Sequence, residues 1–204
     1  GAISDKEWRK CAQEGYEIPG GLPGVYLGID LGWKHDYTAL VPCYRPDPEG
    51  PTYVHPPVVL KPPGDGTSLS EEEIWDAIEN FAGRWPELTV VMDPEAGGEQ
   101  LAQRIDREMD IRVGTHSQKN VPMMKAAQRL SEAISAERLI HPDDPELNRH
   151  VLSAAARSVG EGWRFAKQPR KDLKIDACIA LAMAHSVIVE EPPPPPSSMF
   201  IEGM

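Results

Sequence analysis

Three aspartates stand at positions where a carboxylate can do chemistry. Asp30 ends the apolar run VYLGID, Asp93 ends the apolar run LTVVMD, and Asp176 begins the apolar segment DACIALAMA. A carboxylate among apolar residues costs folding free energy unless it is paired, hydrogen-bonded or holding a metal. Clustered carboxylates raise one another's pKa unless divalent cations neutralise them. Oxygen ligands without cysteine suit Mg²⁺ or Mn²⁺, and two such ions about 4 Å apart can activate a water for phosphodiester hydrolysis.

Two of the three aspartates, taken singly, also have a structural explanation. Asp93 precedes Pro94 and fits a turn at the end of a strand, and Asp176 at a helix start favours the helix dipole. The three together favour a site, because the carboxyl ends of central strands are where α/β sheets collect ligands. We expect Asp30 to bridge two ions, with Asp93 and Asp176 each completing one of them.

The predicted elements bring these aspartates to one edge of a sheet. The order is three strands, helix, strand, helix, strand and then helices, which predicts an α/β fold: a ribonuclease-H-like mixed sheet with antiparallel first three strands and helices on both faces. The predicted strands are Val25–Asp30, Tyr37–Tyr44, Thr52–Lys61, Leu88–Met92, Ile111–Val113 and a weak hairpin around Gly160–Phe165. The predicted helices are Ser70–Trp85, Gly98–Met109, Asn120–Glu137, one ending near Ala156, and Ile175–Val189, with part of Ser4–Glu14.

Length and composition allow one domain with short additions. The 204 residues carry a net charge of -11, three cysteines without a CxxC pair, and no apolar run near the roughly 20 residues that span a bilayer. A reducing compartment, the cytoplasm, fits best. We divide the chain into a turn-rich linker over 1–24, a domain over 25–190 and a Pro-rich disordered tail over 191–204.

Other charged residues near the predicted site are candidates for supporting roles. Asp36 is either an orienting residue, an additional ligand or, as we favour, a turn residue, while Glu95 could replace or assist Asp93 as a ligand. His35 and His141 could shuttle protons or simply be solvated, and Lys34 and Lys174 could contact phosphate or the transition state. Two basic stretches on the acidic chain could grip a DNA backbone without reading its sequence: one has Arg112, Lys119, Lys125 and Arg129, and the other has Arg164, Lys167, Arg170, Lys171 and Lys174. The candidate DNA contacts among them are Lys119, Lys125, Arg164, Lys167, Arg170 and Lys171. The alternative for both stretches is a solvated face.

Three segments in this order resemble the nuclease domain of tailed-phage terminase large subunits. They are LGIDLGWKHDYTALV, VVMDPEAGG and KIDACIALAMAHS, and the resemblance extends over roughly Leu22–Val189. In that family, Asp30, Asp93 and Asp176 match the metal-binding acidic residues. The resemblance implies an endonuclease using two Mg²⁺ or Mn²⁺ ions to cut concatemeric double-stranded DNA for viral genome packaging.

The resemblance also implies partners and a place of action. Relatives act at the procapsid portal in the host cell cytoplasm, with a small terminase subunit, the portal protein and an ATPase domain of their own. This sequence has no GxxxxGK[ST] phosphate loop, so residues 1–24 would be the remnant of the linker from a missing N-terminal ATPase domain.

Two other functions compete with the nuclease. A noncatalytic module could use the same fold to dock DNA or portal, and loss of one of the three aspartates would have indicated it. LGIDLG also resembles the phosphate-binding hairpin of actin-like ATPases, but Trp33, Lys34 and His35 stand where small hydroxyl or amide residues are needed. We therefore favour the metal-dependent nuclease, with the docking module second.

Overall fold

The structure is a computed structural model that describes residues 1–95 and 97–191. The helices are α1 (Asp5–Lys10), α2 (Glu71–Arg84), α3 (Glu99–Glu108), α4 (Asn120–Ser135), α5 (Pro145–Ser153) and α6 (Asp176–Glu190). The strands are β1 (Val25–Asp30), β2 (Thr38–Tyr44), β3 (Thr52–Val54), β4 (Val58–Leu60), β5 (Thr89–Met92), β6 (Arg112–Thr115), β7 (Leu139–Ile140), β8 (Ala155–Val159) and β9 (Gly162–Ala166). No helix among the described residues is long and apolar enough to cross a membrane.

The main sheet is mixed, as the order of elements predicts. Within the described residues it has seven strands in the order β6-β5-β1-β2-β3-β7, with β4 also paired to β2. Strands β1, β2 and β3 are antiparallel neighbours, whereas β5 runs parallel to β1 and β6 runs parallel to β5. The carboxyl ends of β1, β5 and β6 therefore lie side by side at one edge, which confirms the ribonuclease-H-like arrangement.

Helices cover both faces of this sheet. On one face, α4 and α6 contribute Met123, Leu130, Cys178 and Leu181 to a hydrophobic core, and on the other, α2 and α3 contribute residues such as Ile78. Helix α2 begins as the sequence predicts, because the Ser70 hydroxyl accepts from the backbone N–H of Glu73 and the Glu73 carboxylate accepts from the N–H of Ser70.

A glycine sets how closely α6 lies on β1. A Cβ added to Gly28 would come 2.2 Å from the carbonyl oxygen of Ala180 and 2.9 Å from the Cβ of Ala184. Only a residue without a side chain permits this approach, since real Cβ contacts are longer. The consequence is that the start of α6 comes to lie beside the end of β1.

The predicted third strand is interrupted at the place where its prolines fall. His55, Pro56 and Pro57 separate β3 from β4, and both pieces pair with β2. Proline lacks the N–H that a continuous ladder needs, which explains the interruption. The sequence analysis did not predict β7, which pairs with β3, and the predicted weak hairpin forms as β8 and β9.

Residues 1–24 pack onto the domain. Trp8 is 1% exposed, stacks on His141 with ring centroids 3.8 Å apart, and donates its indole N–H to Asn148 at 2.8 Å. Ile18 is also fully buried. Whether this segment connects to a further domain stays a prediction. The predicted polyproline stub, Pro192–Pro196, and the rest of the tail after residue 191 lie outside the described residues.

Candidate metal centre

Two of the three predicted aspartates meet directly. Asp30 is the last residue of β1 and Asp176 is the first residue of α6, and both are buried. Their carboxyl groups lie within hydrogen-bonding reach of each other. The backbone N–H of Tyr37 donates to the Oδ2 atom of Asp176 at 3.3 Å, which ties the loop after β1 to the same place.

The third aspartate joins this pair through a glutamine. Asp93 directly follows β5, and its two carboxylate oxygens accept from the backbone N–H groups of Glu95 at 2.9 Å and Gln118 at 2.8 Å. The side-chain amide of Gln118 then donates to the Oδ1 atom of Asp30, also at 2.8 Å. Gln118 therefore connects the carboxyl ends of β1 and β5, so the three predicted aspartates occupy one edge of the sheet.

Burial and nearby negative charge both raise the pKa values of Asp30 and Asp176. Burial raises the pKa of Asp30 well above its ordinary value, and the neighbouring carboxyl of Asp176 raises it further. Burial also raises the pKa of Asp176, with a further contribution from Asp36. Within the described residues, no lysine, arginine or histidine forms an ion pair with Asp30, Asp93 or Asp176.

The aspartates do not form a ready-made set of three ligands. In the part of the chain that the structure describes, no three His, Cys, Asp or Glu side chains stand close enough together to hold a metal ion. The Gln118 amide occupies one oxygen of Asp30, and backbone N–H groups occupy both oxygens of Asp93. Their role as metal ligands therefore stays a prediction.

The loop between β1 and β2 carries the predicted accessory residues. Asp36 forms ion pairs with Lys167 and, at 3.9 Å, with Lys174. Lys174 also donates to the backbone carbonyl of His35 at 2.7 Å and to Asp172 at 2.9 Å. Lys34 and the side chain of His35 are exposed. These contacts hold the loop against the segment that leads into α6, and Asp36 serves this attachment.

The other candidate proton shuttle, His141, is buried and has both ring nitrogens in hydrogen bonds to the backbone. It is fully buried under Trp8, its Nε2 atom lies 2.7 Å from the carbonyl oxygen of Trp8, and its Nδ1 atom accepts from the N–H of Asp143 at 3.1 Å. Nε2 therefore helps to hold α1 on the domain, and Nδ1 is occupied by the turn at Asp143. The prediction that His141 shuttles protons at the acidic edge is wrong.

Some of the predicted DNA-contacting residues lie beside the acidic edge, and others lie away from it. Arg164 donates to the carbonyl oxygen of Gln118 at 2.9 Å and to Asn120 at 3.1 Å, so β9 contacts the residue that bridges Asp30 and Asp93. Lys119 pairs with Glu95 at 3.5 Å, which places both beside the same edge. Lys125 instead pairs with Glu190 at the far end of α6. Arg170 and Lys171 are exposed on the loop before α6.

Gln118 is the residue that the sequence analysis missed. It is uncharged, so its type marks it as neither an acid, a base nor a common metal ligand. The available signal was its position, because it lies three residues after the end of β6, at the carboxyl end of a third parallel strand.

The described geometry defines an α/β domain with a buried acidic edge, and comparisons with solved structures identify the kind of protein that shares it. The chain is similar to the large terminase of bacteriophage HK97, with a TM-score of 0.75 and 20% identity, over 91% of this chain and 43% of that one. It is also similar to the large terminase nuclease of thermophilic phage G20c with bound magnesium, with a TM-score of 0.69 and 14% identity, over 91% of this chain and 96% of that one. The large terminase of another thermophilic bacteriophage, in complex with ATP-gamma-S, matches with a TM-score of 0.60 and 16% identity, over 85% of this chain and 42% of that one.

These likenesses show the fold. The chain has the fold of large terminase nuclease domains, which confirms at the level of fold the resemblance seen in the sequence. It spans less than half the length of the HK97 terminase and of the terminase in complex with ATP-gamma-S. No protein family model matches the sequence, and no curated protein sequence matches it.

Proposed function

We propose that this chain is the nuclease domain of a viral large terminase, and that it cuts double-stranded DNA by metal-dependent phosphodiester hydrolysis. The observation that carries the proposal is the buried contact between Asp30 and Asp176, with Asp93 joined to it through Gln118, at the edge where the parallel strands end. The fold shared with large terminase nucleases supports it, since one of those structures holds magnesium and another holds cobalt.

The donor set suits a hard divalent cation. Two buried carboxylates in contact, neither of which forms an ion pair among the described residues, are stabilised when a cation neutralises them. Two Mg²⁺ or Mn²⁺ ions, when bound, would activate the attacking water and stabilise the leaving oxygen. For Asp30 to offer both oxygens, the Gln118 side chain has to release the one it now contacts.

The chain's own residues would perform the remaining tasks. Asp30 and Asp176, with Asp93, would hold the ions, and the bonds from the N–H groups of Glu95 and Gln118 keep the Asp93 carboxylate in a fixed orientation. Arg164, Lys167, Arg170 and Lys171, on β9 and the loop that runs into α6, would contact the phosphate backbone beside these carboxylates. Lys119 would do so from the start of α4, whereas Lys125 lies at the other end of α6 and contributes less.

The wider role follows from the same resemblance. We propose that the full protein carries an ATPase domain, acts with a small terminase subunit and the portal protein, and works in the host cell cytoplasm. The noncatalytic docking module uses the same fold, so an activity measurement has to separate the two functions.

A plasmid assay tests the proposal. Supercoiled plasmid incubated with the chain and Mn²⁺ or Mg²⁺ is expected to become nicked and linear, and EDTA is expected to prevent this. Asp30→Asn should abolish cleavage while the fold remains, because the side-chain shape is kept and only its charge is lost.

A matched control and a competing outcome complete this test. Asp106→Asn removes one exposed carboxylate on α3, so it should leave cleavage unchanged. Full activity in Asp30→Asn would refute the assignment of the site. DNA binding by the wild type without cleavage in either metal would favour the docking module.

A further inference from the structure

A polar cavity lies at the opposite end of β1 and α6 from the aspartates. It has a volume of about 200 Å³ and opens to solvent. Val25, at the start of β1, pairs with Tyr44, and Arg45 of the cavity wall follows directly. His185 stands nine residues after Asp176 on α6, which is about 14 Å along the helix axis at 1.5 Å per residue. The cavity is therefore separate from the candidate metal centre.

Three arginines from different parts of the fold line this cavity. Arg45 follows β2, Arg129 belongs to α4, and Arg138 lies between α4 and β7. Positive charge converges here from segments that are distant in sequence. One carboxylate, Glu132, also lines the cavity, and its Oε1 atom accepts a hydrogen bond from Gln128 at 3.0 Å.

Two of these arginines keep their charge uncompensated. Arg129 pairs with Glu190 at 2.6 Å and donates to the carbonyl and hydroxyl oxygens of Ser186. Arg45 donates to the carbonyl oxygen of Pro48 at 2.6 Å, which orients the guanidinium without neutralising it. Within residues 1–95 and 97–191, neither Arg45 nor Arg138 forms an ion pair with a carboxylate. The cavity thus carries an excess of positive charge.

A buried histidine with a ring nitrogen unpartnered in the described part of the chain also lines the cavity. His185 lines the cavity and is 2% exposed, and its Nδ1 atom is buried without a hydrogen-bond partner among the described residues. Burial, together with Arg45, Arg129 and Arg138, lowers the pKa of His185 to about 4, so the ring is neutral at pH 7 and can carry its proton on Nδ1. A buried polar atom in this state calls for a partner, since native folds leave few unsatisfied.

We propose that this cavity binds a small tetrahedral oxyanion, either inorganic phosphate or the phosphate group of a nucleoside monophosphate. The unpaired guanidinium groups of Arg45 and Arg138 outweigh the single carboxylate of Glu132, so the cavity attracts an anion, and phosphate oxygens accept hydrogen bonds in the paired geometry that arginine provides. The hydroxyl of Thr52, which also lines the cavity, supplies a further donor. The volume exceeds that of one water several-fold, so a phosphate group fits.

Calorimetric titration of the 204-residue chain with inorganic phosphate at pH 7 and constant ionic strength tests the proposal. Saturable binding at one site is expected, and sodium chloride at the same ionic strength should give none. Arg45→Gln and Arg138→Gln each remove one charge from a partly or fully exposed side chain and should weaken phosphate binding at least tenfold. Arg107→Gln, which removes an exposed arginine from α3, is the matched control and should bind as the wild type does.

The imidazole ¹⁵N signals of His185 give a readout that a surface effect would not move. They should shift with phosphate in parallel with the calorimetric curve, and Arg138→Gln should move both midpoints together. A nucleoside 5′-monophosphate that binds tenfold more tightly than phosphate would identify a phosphomonoester as the ligand, and equal affinity would identify the free anion. Absence of saturable binding, equal binding in all three arginine variants, or binding of duplex DNA alone would overturn the proposal.

Discussion

Replacing Asp30 by asparagine should make the metal-free protein more stable. Asp30 is 8% exposed, and its carboxyl lies against that of Asp176 without a positive partner among the described residues. In the variant, the asparagine oxygen can still accept from Gln118, and its new N–H₂ group can donate to Asp176. A repulsive contact therefore becomes a hydrogen bond of similar shape.

The size of the effect follows from the charges. Two unit charges about 4 Å apart repel by about 4 kcal/mol at an effective dielectric constant of about 20. Because the folded protein relieves part of this by raising the pKa of the pair, we expect a net gain of about 2 kcal/mol. For a chain of this length, that corresponds to an increase in Tm of about 4–8 °C.

Replacing Asp93 by asparagine should instead make the metal-free protein less stable. Each oxygen of Asp93 accepts a hydrogen bond from one backbone N–H group, that of Glu95 or that of Gln118. Asparagine keeps one of these accepting oxygens, but its N–H₂ group cannot accept the second bond. One buried donor is left without a partner, which costs about 1–3 kcal/mol. The Tm of this variant should therefore fall, although both variants should lose cleavage.

Thermal unfolding in EDTA, followed by circular dichroism, measures these changes. Addition of Mn²⁺ should raise the Tm of the wild type and have little effect on Asp30→Asn, because a ligand that binds only the folded state stabilises it. Asp106→Asn controls for the loss of an exposed carboxylate. If Asp30→Asn unfolded at or below the wild-type temperature in EDTA, the idea of an uncompensated carboxylate pair would be refuted.

Three further changes test other parts of the structure. Gln118→Ala keeps the backbone hydrogen bond to Asp93 but removes the side-chain amide that competes with a metal ion for Asp30. Calorimetry should therefore show Mn²⁺ binding about tenfold more tightly. Tenfold corresponds to about 1.4 kcal/mol, which is within the range of one such hydrogen bond. Lowering the pH from about 6.5 to about 4 should reduce the free energy of unfolding in urea by about 2 kcal/mol for each of His55 and His150. Burial lowers the pKa of each histidine to about 4, with a smaller effect from Arg84 at His55. The unfolded chain therefore takes up protons in this pH range before the folded chain does, and the loss of stability is complete below about pH 4. Gly28→Ala should destabilise the domain by about 3 kcal/mol or prevent folding, since its Cβ overlaps the backbone of α6.

Each of these has an outcome that would count against it. Unchanged or weaker Mn²⁺ binding in Gln118→Ala would mean that the amide helps the site rather than competing with the ion. An unfolding free energy that stays constant down to about pH 4 would contradict the conclusion that His55 and His150 are buried in the neutral form. Their Nδ1 atoms accept hydrogen bonds from the backbone N–H groups of Ile18 and Ala177, respectively. A Gly28→Ala variant as stable as the wild type would show that α6 can move away from β1 at little cost.

The sequence predicted most of the elements because their signals are local. The capping box at Ser70 gave the start of α2, and the apolar run before Asp93 gave β5. The prolines after His55 interrupt the third strand, but its division into two pieces on β2 depended on pairing that no local pattern records. Strand β7, with two residues, carries too little sequence to be recognised without its partner β3.

The sequence by itself determined that three carboxylates sit at the ends of apolar elements, since that depends only on which residues are adjacent along the chain. The tertiary structure decided how they meet: Asp30 against Asp176, and Asp93 through Gln118. It likewise brought Arg45, Arg129 and Arg138 around His185, from segments with no shared pattern. Contacts between distant segments depend on the approach of whole elements, such as α6 over Gly28, and that approach is set by packing that becomes visible only when the chain has folded.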